Sequence, residues 1–114
     1  MSDRYDLVVD TGTDSTYIFS IVDSKGQAIL TEGYTARMQI RPYLCADVVF
    51  DELTTENGRL EFIDTGKLQM TMTSEATDQY KFEKALYDIE IVSPEGKVTR
   101  VVEGRVIAKH GVTR

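Results

Sequence analysis

Four glycine-bearing turns cut this chain into short runs: DSKG at residues 23–26, ENGR at 56–59, DTGK at 64–67 and SPEGK at 93–97. Glycine supplies the positive φ that tight turns need, and Asn-Gly is the strongest short-range hairpin signal. Regular punctuation of this kind points to an antiparallel all-β domain. The runs between the turns alternate with period two. In YTARMQIR (34–41), Ala36, Met38 and Ile40 face one way, and Thr35, Arg37, Gln39 and Arg41 the other. KLQMTMT (67–73) repeats the pattern with Leu68, Met70 and Met72 inward, and LYDIEIV (86–92) with Tyr87, Ile89 and Ile91. Residues 59–63 place Leu60 and Phe62 on one side.

Segment 16–22 (TYIFSIV) is apolar on both faces, which predicts a central strand covered on both sides. Segments 5–9, 48–53 and 98–108 complete a set of eight or nine strands. Adjacent Val101 and Val102 break the alternation of the last strand, so a bulge is expected there, with Gly104 taking part. Residues 74–84 lack alternation; Ser74 as N-cap, with Ala76 and Tyr80 spaced i, i+4, predicts a short helical crossover. Pro42 ends the strand before it. The expected fold is therefore all-β: one domain, residues 1–114, an antiparallel two-sheet sandwich of immunoglobulin-like character with one short helical crossover. A small barrel is the alternative. Met38, Ile40, Leu68, Met70, Tyr87, Ile89 and Ile91 are its expected core.

A 114-residue chain suits one domain and buries about 65% of the surface its unfolded form exposes. No apolar stretch reaches membrane-spanning length and no leader pattern opens the sequence. One cysteine, Cys45, excludes an internal disulfide, and with a single histidine, His110, it argues against a zinc site. The net charge of −6 is uneven: residues 1–41 carry −2, 42–96 carry −8, and 97–114 carry +4. No broad basic face is available for phosphate contacts, so nucleic acid is not an expected partner. The acidic middle and the basic tail (Lys97, Arg100, Arg105, Lys109, Arg114) are complementary and point to contacts between copies or with neighbouring proteins. Arg105, Lys109, His110 and Arg114 are the candidate assembly contacts. Residues 109–114, polar and glycine-bearing, are expected to be mobile unless a partner holds them.

Several motifs suggest chemistry. VVDTGTDST (8–16) resembles the active-site loop of retroviral-type aspartic proteases, with Asp10 as the carboxylate to be shared across a dimer, and Gly104-Arg105 resembles the late Gly-Arg of those enzymes. Asp10 comes too early for the strands that precede that loop, no glycine-rich flap follows, and residues 19–22 continue as a strand. The same segment resembles the first phosphate-binding hairpin of the actin and sugar-kinase superfamily, which needs two α/β lobes and several times this length. A polar turn is the simpler reading, and no hydrolytic activity is expected. Cys45 and His110 show no third orienting group for nucleophilic catalysis, and are read as a half-buried thiol and a solvated tail imidazole. Asp47, Asp51, Glu52 and Glu56 are spaced like a solvated edge rather than a calcium loop. No catalytic, metal or cofactor-binding residue is assigned.

Three segments together resemble a family of small tailed-bacteriophage virion proteins. They are GQAILTEGYTARMQIR (26–41), LTTENGRLEF with TGKLQMTMTSEAT (53–77), and YDIEIVSPEGKVTRVVEGRV (87–106), with a closing VTR (112–114). The layout is similar to the immunoglobulin-like N-terminal domain of phage baseplate and tail-fibre proteins of the receptor-binding upper baseplate type. The resemblance covers most of the chain and departs from the pattern at residues 10–14. It implies a structural, non-enzymatic part of a virion, assembled in the host cytoplasm. Tail, baseplate, neck and fibre attachment are the expected positions, with capsid decoration as an alternative. The implied partners are other virion proteins, met in multiple copies of a symmetric assembly, without nucleic acid, membrane or cofactor. A host-surface carbohydrate-binding module is a rival reading, with Tyr34 and Tyr43 as its candidate aromatic shelf.

Overall fold

The computed structural model describes residues 3–23 and 25–112. Nine strands and one helical turn follow in the order β1 (Asp3–Arg4), β2 (Leu7–Asp10), β3 (Ser15–Ser20), β4 (Thr35–Arg41), β5 (Asp51–Thr54), β6 (Leu60–Asp64), β7 (Lys67–Met72), α1 (Ser74–Thr77), β8 (Lys84–Val92) and β9 (Val98–Lys109). They form two sheets. The larger runs β1-β9-β8-β4-β5, with β2 continuing beside β9, and the smaller runs β3-β7-β6. A sheet built on the last two strands and the β4–β5 pair, facing a second sheet of β3, β7 and β6, is the layout of an immunoglobulin-like sandwich.

The alternating runs decide what lies between the sheets. Met38, Ile40, Leu68, Met70, Tyr87, Ile89 and Ile91 are all buried, as their spacing predicts, and Leu7, Val9, Leu53, Leu60, Met72 and Val106 join them in one core. The sheets are held by this apolar packing; Cys45 lies on an exposed loop. The glycines of the four turns all have positive φ. Gly66 has two reasons to be glycine: its φ is +68°, and a Cβ there would lie 2.9 Å from both the Ile21 carbonyl oxygen and the Ala28 Cβ.

The pairing is not antiparallel throughout. β1 and β2 run parallel to β9, with Asp3 opposite Val102 and Leu7 opposite Val106. Segment 5–9 is therefore not one strand; it breaks between β1 and β2, where the Asp6 carboxylate takes the Arg105 N–H of β9. The break brings the Tyr5 carbonyl onto β9 at Gly104. A Cβ on Gly104 would stand 2.8 Å from the Tyr5 carbonyl carbon and closer still to its oxygen. The same carbonyl accepts the Tyr87 hydroxyl, and the Tyr5 N–H donates to the Glu103 carbonyl at 2.9 Å. Burial raises the pKa of the Tyr87 phenol, with Asp6 nearby as a second cause, so the hydroxyl stays a donor. The expected bulge is present: the β8–β9 register shifts between Ile89 and Glu90, leaving Val101 as the extra residue. Gly104 is no part of it; it pairs with Tyr87 and is required by the crossing chain.

Other expectations are corrected. Segment 16–22 is not a doubly covered central strand. β3 is an edge strand, paired only with β7, and its outward Ile18 is 57% exposed. Its inner residues Tyr17 and Phe19 are partly buried against the core. The apolar outer face imitates an interior strand, but the N-terminal strand that would cover its edge is spent on β9. The strand expected at 48–53 begins only at Asp51, because the Phe50 N–H closes the preceding loop on the Ile40 carbonyl at 2.7 Å. The short helical crossover expected within 74–84 is present, as the single turn α1. Thr73 rather than Ser74 is its N-cap, accepting from the Ala76 N–H at 3.1 Å, and Thr77 rather than Ala76 is the buried side chain.

Two predictions follow from the crossing at β9. Gly104→Ala should cost about 1–3 kcal/mol or more in denaturant unfolding, because the methyl meets backbone rather than a movable side chain. A cost near zero would contradict the close approach. The second concerns Asp6, whose carboxylate takes the Arg105 N–H at 3.0 Å and the guanidinium at 2.9 Å. Those hydrogen bonds hold its pKa below the ordinary 3.8. A carboxyl with a depressed folded pKa contributes stability above its unfolded value and loses it as pH falls through the folded one. Asp6→Asn keeps one acceptor but no charge. Its melting temperature should lie below wild type at neutral pH, with the gap closing below about pH 4. A gap that stays constant down to pH 2 would show that the charge contributes nothing.

Candidate interaction surface

Exposed large apolar side chains are scattered over the described surface, among them Tyr5, Val8, Ile18 and Leu30, and the densest run of them in the sequence is one loop. Residues 42–50, between β4 and β5, carry Tyr43 (64% exposed), Leu44 (79%) and Val48 (57%), followed by Val49 and Phe50. Pro42 stops β4, and the loop then turns back on itself. The Ala46 N–H donates to the Tyr43 carbonyl at 3.2 Å, and Cys45, at φ 62°, takes the left-handed conformation that closes the turn. Ala46 is buried and anchors the loop. The Arg41 guanidinium donates to the Ala46 carbonyl and, at 2.6 Å, to Gln39 Oε1. Cys45, at the tip of this turn, is thus exposed and not half-buried.

The far end of the loop stands on a rigid base. Phe50 stacks on Phe82 with ring centroids 4.8 Å apart and planes at 9°, and Tyr80 packs on Phe82 at 5.0 Å. Beneath them the Tyr80 hydroxyl donates to Asp51 Oδ2 at 2.6 Å, while Arg59 Nη1 meets Asp51 Oδ1 at 2.8 Å. Burial is the main cause that raises the Tyr80 pKa, with the Asp51 hydrogen bond second. Asp51 is therefore a structural acceptor at the start of β5, not part of a solvated acidic edge. A charged carboxylate held by a phenol and a guanidinium fixes β5, the β5–β6 turn and the segment after α1 relative to one another.

Beside the loop, the outer face of the larger sheet carries charges that pair across strands. Arg37 meets Glu90 at 2.9 Å, Arg100 meets Asp88 at 3.1 Å, and Gln39 donates to Glu52 at 2.7 Å. Burial raises the Asp88 pKa, and Arg100 opposes that shift. A groove of about 450 Å³ runs over this face, lined by Arg4, Arg41, Tyr43, Leu44, Tyr87 and Gly104 among others. The surface thus has an apolar rim beside a polar floor whose charges are mutually neutralised. That combination suits contact with another protein surface. Among the described residues no group of three histidine, cysteine or acidic side chains is placed to hold a metal ion.

The residues expected at the site are dispersed. Arg105 is engaged with Asp6 inside the same chain, as Arg100 is with Asp88, so part of the basic tail is neutralised by its own fold. Lys109 ends β9, in register with Asp10, and its side chain is exposed. His110 is exposed, as expected, but it is also tied to the fold: Nε2 lies 2.8 Å from the Phe82 carbonyl and Nδ1 lies 3.4 Å from Thr11 Oγ1. Arg114 lies outside the described residues. Asp10 sits at the end of β2, and its loop is spent on structure. Gly12 N–H donates to Thr77 Oγ1 at 3.0 Å, Ser74 N–H to Asp14 Oδ1 at 2.6 Å, and Thr11 N–H to the Lys109 carbonyl at 2.9 Å. The DTG loop clamps α1 to the end of β9. Cys45 and His110 line different cavities. Tyr34 and Tyr43 lie beyond opposite ends of the seven-residue β4, about 20 Å or more apart, too far to form one aromatic shelf.

The apolar loop was not legible as a site because Val48-Val49-Phe50 reads as the start of a strand. Its signal was the absence of alternation in a run bounded by Pro42 and the acidic Asp51-Glu52. No family model and no curated protein matches the sequence. Among solved structures the chain is similar to murine CRIg, at a TM-score of 0.44 and 12% identity over 93% of this chain and 92% of that one.

Proposed function

We propose that this chain is a non-catalytic protein-binding module, and that it serves as an assembly part of a tailed-bacteriophage virion. The first half of the reading is carried by the apolar loop at residues 42–50. Tyr43, Leu44 and Val48 stand exposed on a loop tied to Arg41 through the Ala46 carbonyl and, at its far end, to the Asp51, Arg59 and Tyr80 network, and an isolated protein gains nothing from exposing them. Rigid, pre-organised apolar side chains lose little freedom on binding, which favours them as contacts. The second half rests on the sequence blocks at 26–41, 53–77 and 87–106, and names the partners as other virion proteins repeated by symmetry.

In this reading the loop enters a neighbouring subunit and the paired charges of the sheet face lie along the rim. The salt-sensitive contact expected of the basic tail becomes secondary, since Arg100 and Arg105 already have partners. The test is a doubly substituted chain, Leu44→Lys with Val48→Lys, supplied in place of wild type during particle assembly. Both side chains are exposed, so the isolated variant should melt within a few degrees of wild type. Its incorporation into purified particles should fall about tenfold or more. Wild-type incorporation would remove the loop from the interface, and absence of the unaltered chain from particles would remove the virion assignment while leaving a binding module.

A further inference from the structure

Four strand edges end the two sheets, and three are blunted against pairing. β5 is four residues long and opens with Asp51-Glu52. β6 carries Glu61 and Asp64, and its ladder is broken by a register shift between Phe62 and Asp64. The β1/β2 edge is interrupted after Arg4 and carries Asp3, Arg4 and Asp10. Short length, charge and bulges are the devices by which proteins protect edges. β3 has none of them: its six residues, STYIFS, include no charge, no proline and no glycine. Among the described residues no strand pairs with this edge, because β1 and β2, which precede it in the chain, pair with β9; the N-terminal segment touches β3 only through side chains, the Tyr17 hydroxyl donating to the Val8 carbonyl at 2.7 Å and the Tyr5 ring standing edge-on to Phe19 at 6.0 Å. In the four-stranded version of this smaller sheet a further strand occupies that position.

The backbone phase of β3 is fixed by Ile21, whose N–H donates to the Gly66 carbonyl at 2.7 Å. N–H and C=O groups alternate sides along a strand, so those of Tyr17 and Phe19 face β7 and those of Thr16, Ile18 and Ser20 face outward. We infer that this edge pairs with the β3 edge of a second copy, antiparallel about Ile18. A two-fold axis there sets Ile18 against Ile18 of the second copy and Thr16 against Ser20, each a residue with outward-facing backbone groups. No like charges meet inside the ladder, and the two three-stranded sheets become one of six strands. A second copy is the occupant because the ladder wants an uncharged extended strand, and the other edges of the chain are charged or bulged. Two such strands bury little area, so the dimer is weak in dilute solution and gains from repetition in a particle. Each copy carries −6, so added salt strengthens this contact by screening repulsion between the copies.

The inference does not depend on the virion assignment. It is tested by sedimentation velocity of the full chain from about 10 µM to 1 mM, in low and physiological salt, with amide exchange at both concentration limits. The wild type is expected to shift from monomer to dimer with concentration, more readily in salt. The amides of Thr16, Ile18 and Ser20 should slow in step. Ile18→Lys should weaken dimerisation about tenfold or more while its melting temperature stays close to wild type, and Leu44→Lys should leave the dimer intact. A monomer throughout the range would overturn the inference. So would a dimer that Ile18→Lys preserves, one that Leu44→Lys abolishes, or one that forms without slowing the three amides.

Discussion

The arrangement depends on one backbone approach. Gly104, in the middle of β9, lets the Tyr5 carbonyl come closer than any Cβ would allow, and the Tyr87 hydroxyl holds that carbonyl in place. This fixes where the first strand goes. Leu7 and Val9 then reach the core from beside β9, and Arg105 meets Asp6 across the parallel ladder. The remaining strands pack as alternation dictates, but the choice of sheet for the N-terminal strand is made by this contact. Its consequence lies in the smaller sheet, where among the described residues β3 pairs with β7 alone and its outer edge carries no strand.

The two surfaces that result have different characters. On the larger sheet, opposite charges pair across β4, β8 and β9, so the face is polar without strong local charge, and the 42–50 loop adds an apolar rim. On the smaller sheet, β3 offers backbone groups and a single large apolar side chain. In the two proposals made above, the first would meet a partner by shape and burial, and the second by strand pairing. The DTG loop, the sharpest local motif in the chain, is instead a clamp between α1 and β9, with its hydroxyls and amides satisfied there.

Much of the fold was legible in the sequence because burial imposes a period of two. Met38, Met70 and Ile89 declared their faces through their neighbours, and the extra valine at Val101 declared a bulge. What was not legible depended on contacts between distant residues. Parallel pairing of β2 with β9 has no local signature, since Leu7 and Val9 would be buried on either sheet. β3 looked interior because an exposed Ile18 is indistinguishable from a buried one in a string of residues. Among the expected contact residues, Arg105 pairs within its own chain, and no local pattern signals this because its partner Asp6 lies 99 positions away. His110 is exposed as read, but nothing local indicates the Phe82 carbonyl it meets.

The most direct test of the account is residue-resolved amide exchange on the monomer in dilute solution, where no second copy can protect an edge. The Tyr5 and Thr11 amides donate to β9, and the parallel register places the Leu7 and Val9 amides on the same side. The account predicts slow exchange at Leu7 and Val9, and fast exchange at Thr16, Ile18 and Ser20. Protection of Thr16, Ile18 and Ser20 in the monomer, with Leu7 and Val9 exchanging freely, would place the first strand on β3 and contradict it.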